Sequence, residues 1–354
     1  MLVSILFGMA PTTVLASTGN NSLDTTAGDD FGQQVNSLLD KKGFSGSLLV
    51  VKDGKTVFQT SRGYSNFADG IQNTTATAYE IDSVQKSMTA ALIMREVQKK
   101  KLSLNDKLHD FYPQIPGSKK ITIRQMLDMT SGLILKGDVG PDKVLSDQDI
   151  LNEDIGNIVF SKVMYKRWNY APVNYNLLSG ILEQITGRSY RYLFEKHFVK
   201  KLHLKHTVFA YDETPGVQKA SGYSNVDPLS ARLDYRNAFD TKRFYQFDEL
   251  GTGQVFMSTS DLWKVEKYIM TGSILTNKSR KQLFKPGSVS TYGGGLYHGT
   301  NDNFANGWGY GFQAVMHISD NGKDGVVLLE NYQRIAADMK PIAKQVYQML
   351  EGTN

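Results

Sequence analysis

The sequence predicts an α+β fold: one antiparallel sheet built from both ends of the chain, flanking helices, and a helical lobe inserted between them. Three observations carry that expectation. A strand, an Asp53-Gly54 turn and a second strand read across residues 46–58. Strand and glycine-turn patterns return at 307–318 and 325–329. The intervening stretch has helical periodicity broken by loops.

Taken in order, residues 1–16 (MLVSILFGMAPTTVLA) are apolar and end in Val14-Leu15-Ala16, a small-residue pattern suited to signal cleavage. No basic segment precedes them, so the expectation is a truncated secretory signal, too short to span a bilayer. Residues 17–30 are polar and rich in Gly, Thr and Asp, the composition of a disordered linker. The folded body is expected over 31–354. Its first helix, 31–42, sets Phe31, Val35, Leu38 and Leu39 on one face. Residues 64–66 read as a turn, and 223–225 as irregular. Further helices are expected at 121–129, at 175–186 with Gly187 as terminator, after a cap near Ser260-Asp261, and at 336–350. The sheet-bearing lobe should therefore comprise about 31–100 and 245–354, with the helical lobe at about 101–244.

Composition narrows the chemistry. With 354 residues, 40% apolar and 21% charged, the chain belongs with globular proteins and not with disordered ones. It has no cysteine, which excludes disulfides, thiolate metal sites and a cysteine nucleophile. The net charge of +5 suits polyanionic surroundings. The basic residues are scattered, however, and no nucleic-acid motif accompanies them. The six histidines form no metal-ligand pattern; His203-x-x-His206 comes nearest and reads as surface or capping. Neither metal nor cofactor is expected.

One tetrapeptide is a chemical proposal by itself. Ser83 is the only serine with a lysine three residues on, and Ser83-Val84-Gln85-Lys86 heads the apolar helical run Met88–Met94. Positions i and i+3 share a helix face, which sets the Lys86 amine beside the Ser83 hydroxyl. A serine alcohol needs an adjacent base. A buried helix N-terminus also favours an oxyanion.

Four blocks then extend the pattern along the chain. They are Tyr79-Glu80-Ile81-Asp82-Ser83-Val84-Gln85-Lys86, Met126-Leu127-Asp128-Met129-Thr130-Ser131-Gly132-Leu133, Trp168-Asn169-Tyr170-Ala171-Pro172-Val173-Asn174-Tyr175 and Gly253-Gln254-Val255-Phe256-Met257-Ser258-Thr259. In this order they resemble the serine β-lactamase/penicillin-binding-protein-like hydrolases of the class C and esterase type, over about 31–350. The resemblance implies a β-lactamase/transpeptidase-like fold. It also implies Ser83 as nucleophile, Lys86 as its base and Tyr170 as the phenol that shares the proton. The third family motif falls at Ala305-Asn306-Gly307-Trp308, so the oxyanion and substrate-binding positions would be Ser83, Asn306, Gly307 and Trp308.

The departures from the family pattern bear on substrate. Met129 stands where histidine is usual. Pro172 replaces an asparagine that would hold a substrate amide, and Ala305 replaces the cation that engages a substrate carboxylate. An unpartnered polar ligand group costs about 1–3 kcal/mol, so peptides ending in free D-alanine fit poorly. An ester of D-alanine has no free carboxylate. The Ser-x-Gln-Lys nucleophile and the neutral Asn-Gly motif look like those of the teichoic acid D-alanine esterases. That resemblance implies a D-alanylated lipoteichoic or wall teichoic acid as the anionic partner, at the cell surface of a Gram-positive bacterium and near its membrane. Two other readings stand beside it: a DD-carboxypeptidase or weak β-lactamase, and a non-catalytic cell-wall binding protein of the same fold.

Overall fold

The computed structural model describes residues 29–137, 143–227, 229, 230, 232–239 and 248–352. The expected signal segment and nearly all of the expected linker lie outside them. The linker's last two residues do not: Asp29 and Asp30 already belong to the first helix, α1 (Asp29–Lys42).

A seven-stranded antiparallel sheet forms the centre. Its strands are β1 (Gly46–Lys52), β2 (Lys55–Arg62), β3 (Tyr292–Gly293), β4 (Leu296–His298), β5 (Asn303–Gly309), β6 (Phe312–Ile318) and β7 (Gly325–Glu330). They lie in the order β3-β4-β5-β6-β7-β1-β2. The two ends of the chain meet where β1 pairs with β7, from Gly46 opposite Glu330 to Val51 opposite Gly325. Strand side chains alternate between faces, and the buried residues divide accordingly. Leu48, Val50, Val315, Val326 and Leu328 face α1 and the last helix, which supplies Ile342, Val346, Tyr347 and Leu350. Leu49, Val51, Ala314, Met316, Val327 and Leu329 face the larger core. A strand covered on both sides must be apolar throughout, which explains the run Leu48-Leu49-Val50-Val51.

The helix α2 (Lys86–Gln98) is central to that larger core, and ten of its thirteen residues are buried, so it has almost no solvent face. The chain from α3 (Ile123–Leu127) through α4 (Asp147–Asn157), α5 (Val173–Thr186), α6 (Tyr190–Phe194) and α7 (Lys200–Leu202) forms the helical part between the sheet's halves. Thr122 caps α3 by accepting from the Gln125 amide, and Gly187 ends α5 with φ +65°. The helix α8 (Thr259–Thr271) is capped by Ser258, two residues before the expected cap. After α9 (Asn277–Leu283), α10 (Lys340–Gly352) closes the chain. It starts four residues later than expected because Ile335–Ala337 forms a separate 3-10 turn. Residues 64–66 and 223–224 are short strands, paired with Ile71–Gln72 and Asn237–Ala238, where a turn and irregular chain were expected.

Candidate active site

Ser83 lies in a 3-10 turn, Asp82–Gln85, that runs directly into α2. Residues i and i+3 nearly eclipse in such a turn, and Lys86 Nζ lies 2.8 Å from Ser83 Oγ. Lys86 is buried, and its second contact is the carbonyl of Thr252 at 3.3 Å. Asp82 precedes the serine with φ +43°, a left-handed conformation that costs an L-residue energy unless its surroundings hold it. Here the surroundings do hold it, because β5 is pressed against the turn. A β-carbon on Gly307 would stand 2.8 Å from Asp82 Cβ, and one on Gly309 would stand 2.7 Å from Asp82 Oδ1. Glycine at both positions allows that approach.

The β5–β6 register fixes which main-chain groups face away from β6. Tyr310 and Gly311 both have positive φ and form a two-residue loop between the paired residues Gly309 and Phe312. In such a hairpin the closing pair exchanges both hydrogen bonds. Gly307 and Ala305, pairing with Ala314 and Met316, therefore bond to β6 as well. The N–H groups of Asn306 and Trp308 point to the opposite edge. β4 covers that edge only as far as Phe304.

Tyr170 comes from the segment leading into α5. Its ring lies over Lys86, 5.4 Å from Nζ to the centroid, and edge-on to Tyr292. The residue is 37% exposed. Met129 holds this segment in place: its carbonyl accepts from the Asn169 amide at 2.9 Å, and its sulfur lies 3.5 Å from the Ala171 nitrogen. Met129 itself has φ +56°. The nearby Tyr175 is different in kind. It is fully buried, donates to the Leu127 carbonyl at 3.0 Å, and burial pushes its phenol far above the ordinary range.

The structure thus brings Ser83, Lys86, Tyr170 and the Gly307–Trp308 backbone together. At two of the named oxyanion and substrate-binding positions the side chain points away from the serine. Asn306 and Trp308 lie opposite Val315 and Gln313 on the sheet face covered by α10. Asn306 lines a cavity of about 730 Å³ there, and Trp308 is 44% exposed. Side chains of a strand alternate, so these two residues can reach the serine side through their main chain only. Ala305 faces the larger core and is 2% exposed. Among the described residues no three His, Cys, Asp or Glu side chains converge as a metal site. His203 ends α7 in a left-handed conformation.

Beside Tyr170 opens a cleft of about 850 Å³, lined by Asn169, Pro172, Asn176 and Thr252 together with Asp154, Asp248 and Glu249. Thr252 Oγ1 donates to Glu249 Oε2 at 2.7 Å. Burial and the Glu249 charge push the Asp82 carboxyl well above its usual range, against the pull of Lys86. Burial, with Asp82 and Glu249, does the same to Glu80. Sequence reasoning gave none of these acids a role. Asp154 follows Ile150 and Leu151 by four and three residues, and α4 buries all three on one face.

A serine turn at the head of a buried helix, a lysine within hydrogen-bond reach and a strand edge beside it are the arrangement of the serine hydrolases of the β-lactamase and penicillin-binding-protein fold. A model of the Beta-lactamase family matches residues 32–335, and the chain belongs to that family. It is 27% identical over 327 residues to PbpX of Bacillus subtilis (strain 168), whose name places it provisionally among the penicillin-binding proteins; the match covers 91% of this chain and 79% of PbpX. It is also 27% identical over 309 residues to the teichoic acid D-alanine hydrolase of Staphylococcus aureus, covering 84% and 73%. Solved structures confirm the fold. FmtA from Staphylococcus aureus superposes with a TM-score of 0.80 at 24% identity, covering 92% and 88%. The D-amino acid amidase from Ochrobactrum anthropi SV3 gives 0.77 at 20%, covering 92% and 100%. Among the described residues no helix is long and apolar enough to cross a membrane.

Proposed function

We infer that the protein is an extracellular esterase that removes D-alanine from teichoic acids through a covalent acyl-enzyme. The observation that carries this reading is the 2.8 Å Lys86–Ser83 contact in a site with Ala305 and Pro172 where family members place a cation and an amide. Its chemistry can use an ester and offers little to a free carboxylate. The similarity to the Staphylococcus aureus teichoic acid D-alanine hydrolase points the same way, as does the positive net charge for an anionic polymer.

In this reading Lys86 acts as the neutral amine, and takes the proton of Ser83 Oγ as that oxygen attacks the ester carbonyl. The oxyanion is held by the N–H groups of Ser83 and Trp308. The C–O bond to the polymer breaks, and the departing alkoxide takes the proton from Lys86 by way of Tyr170. Water, deprotonated by the same pair, then attacks the acyl-enzyme; the Ser83 Oγ–acyl bond breaks, Ser83 Oγ takes that proton back, and D-alanine is released. D-alanine release from D-alanylated lipoteichoic acid, wild type against Ser83→Ala, tests it. Equal release by the two proteins overturns the reading.

The similarity to PbpX supports a second reading, a DD-carboxypeptidase or weak β-lactamase. Stable stoichiometric labelling of Ser83 by a fluorescent penicillin would favour it.

A further inference from the structure

The acidic wall of the cleft has no counterpart in the reaction as derived so far. Asp154, on α4, is 1% exposed, yet among the described residues its Oδ2 has no hydrogen-bond partner. It lines the same cleft as Tyr170, Thr252 and Glu249. Burial, then Asp248, Glu153 and Glu249, push its carboxyl up to about 8. Glu80 and Asp82, on the far side of Glu249, are likewise raised. Among the described residues Lys219 acts on Glu80, and Lys86 on Asp82, with opposite charge. A buried carboxylate without a partner is costly, and here several share one region. Among the described residues that line the cleft there is no lysine or arginine.

We propose that Asp154 and Glu249 form a subsite for the ammonium group of the acyl portion of the substrate, so that the enzyme selects cationic aminoacyl esters over neutral ones. This rests on the esterase reading and adds a specificity determinant to it. Two features favour an organic ammonium over a metal ion. The described residues offer no convergent set of three metal ligands. Glu249 also sits one residue's reach from the chemistry, because Thr252 donates to it and accepts from Lys86. An acyl group whose carbonyl lies at Ser83 carries its α-substituent only a bond or two away, and the cleft that begins at Tyr170 and Thr252 is where that substituent can go. An ammonium bound there supplies the missing N–H donors and displaces the proton that Asp154 otherwise keeps.

The test compares kcat/KM for D-alanine methyl ester and D-lactic acid methyl ester, which differ in an ammonium against a hydroxyl. The wild type should prefer the alanyl ester by about tenfold or more, the worth of one charge-assisted hydrogen bond. In Asp154→Asn that ratio should fall about tenfold. Glu249→Gln, read by the same ratio, serves if the first variant does not fold. A wild-type ratio near one, or a ratio unmoved by both substitutions, overturns the proposal. If Ser83→Ala hydrolyses neither ester while the wild type takes both equally, the subsite fails and the esterase reading stands. If the wild type hydrolyses neither, the esterase reading fails, and calorimetric binding of D-alaninamide against D-lactamide then decides the subsite. Equal affinities would sink it.

Discussion

Gly307 lies directly against Asp82: a β-carbon on the glycine would stand 2.8 Å from that of the aspartate, and closer still to the Ile81 carbonyl oxygen. The contact joins two segments more than two hundred residues apart and sets the distance between the strand edge and Ser83. Gly307→Ala must therefore push β5 or the serine turn aside. Ester hydrolysis should fall by about a hundredfold, the cost of roughly 1 Å of misplacement. Thermal unfolding should show about 1–3 kcal/mol of lost stability. Near-normal hydrolysis by the alanine variant would disprove the contact's role.

Tyr170 and Tyr175, five residues apart, should separate cleanly. Tyr170 is partly exposed over Lys86, so Tyr170→Phe should lower kcat by about 10²–10⁴ while stability changes by less than about 0.5 kcal/mol. Tyr175 is buried on the Leu127 carbonyl. Removing its hydroxyl leaves that carbonyl unsatisfied, costing about 1–3 kcal/mol, and the folded enzyme should keep its kcat. Steady-state kinetics and urea unfolding of both variants check this.

Lys86→Met should leave Ser83 in place without its base. Acylation by p-nitrophenyl acetate should slow by about 10³ or more, and mass spectrometry should show no acyl-enzyme within the wild type's turnover time. Rapid acylation of the variant would remove Lys86 from the mechanism.

Behind the nucleophile helix, Glu266 is fully buried and burial pushes its carboxyl up to about 8. Ser87 Oγ lies 2.6 Å from Glu266 Oε1 and 3.0 Å from the Val84 carbonyl. One hydroxyl proton cannot serve both contacts, so a protonated Glu266 completes the chain. Between about pH 4.5 and 8 the native state holds this proton and the unfolded state has lost it, so the group's contribution to stability falls as pH rises. In Glu266→Gln the loss of stability from pH 5 to pH 8, measured by urea unfolding, should shrink by about 1 kcal/mol or more.

Much of this architecture was legible in the chain. The hairpin around Asp53-Gly54, the apolar run of β1 and the unbroken burial implied by Met88–Met94 are local patterns with period two or none, and the sheet follows from them. The Ser83–Lys86 pair was legible because three residues of turn geometry suffice to place it. What escaped was whatever depends on distant segments meeting. Asn306 stands among the expected oxyanion and substrate-binding positions, and only the β5–β6 register shows that its side chain lies on the other face. Asp154 stands four and three residues after Ile150 and Leu151, on the face that α4 buries, but no helix is expected there from the sequence, so its place in a cleft goes unread. Thr252 sits in a recognisable glycine-flanked block, but its carbonyl's role as an acceptor for Lys86 is a fact of tertiary packing.

The pairing of β1 with β7 has a consequence for the order of events in the life of the chain. The serine and lysine are complete by residue 86, but the strand edge they need arrives only with residues 305–309, and that strand is held in the sheet through β6 and β7 to β1. Such long-range pairing forms late and slowly. A chain still being made, or one cut short before β7, carries the Ser83–Lys86 pair without the edge beside it. Hydrolytic activity is therefore a readout of completed folding, and a partly assembled molecule should be catalytically silent.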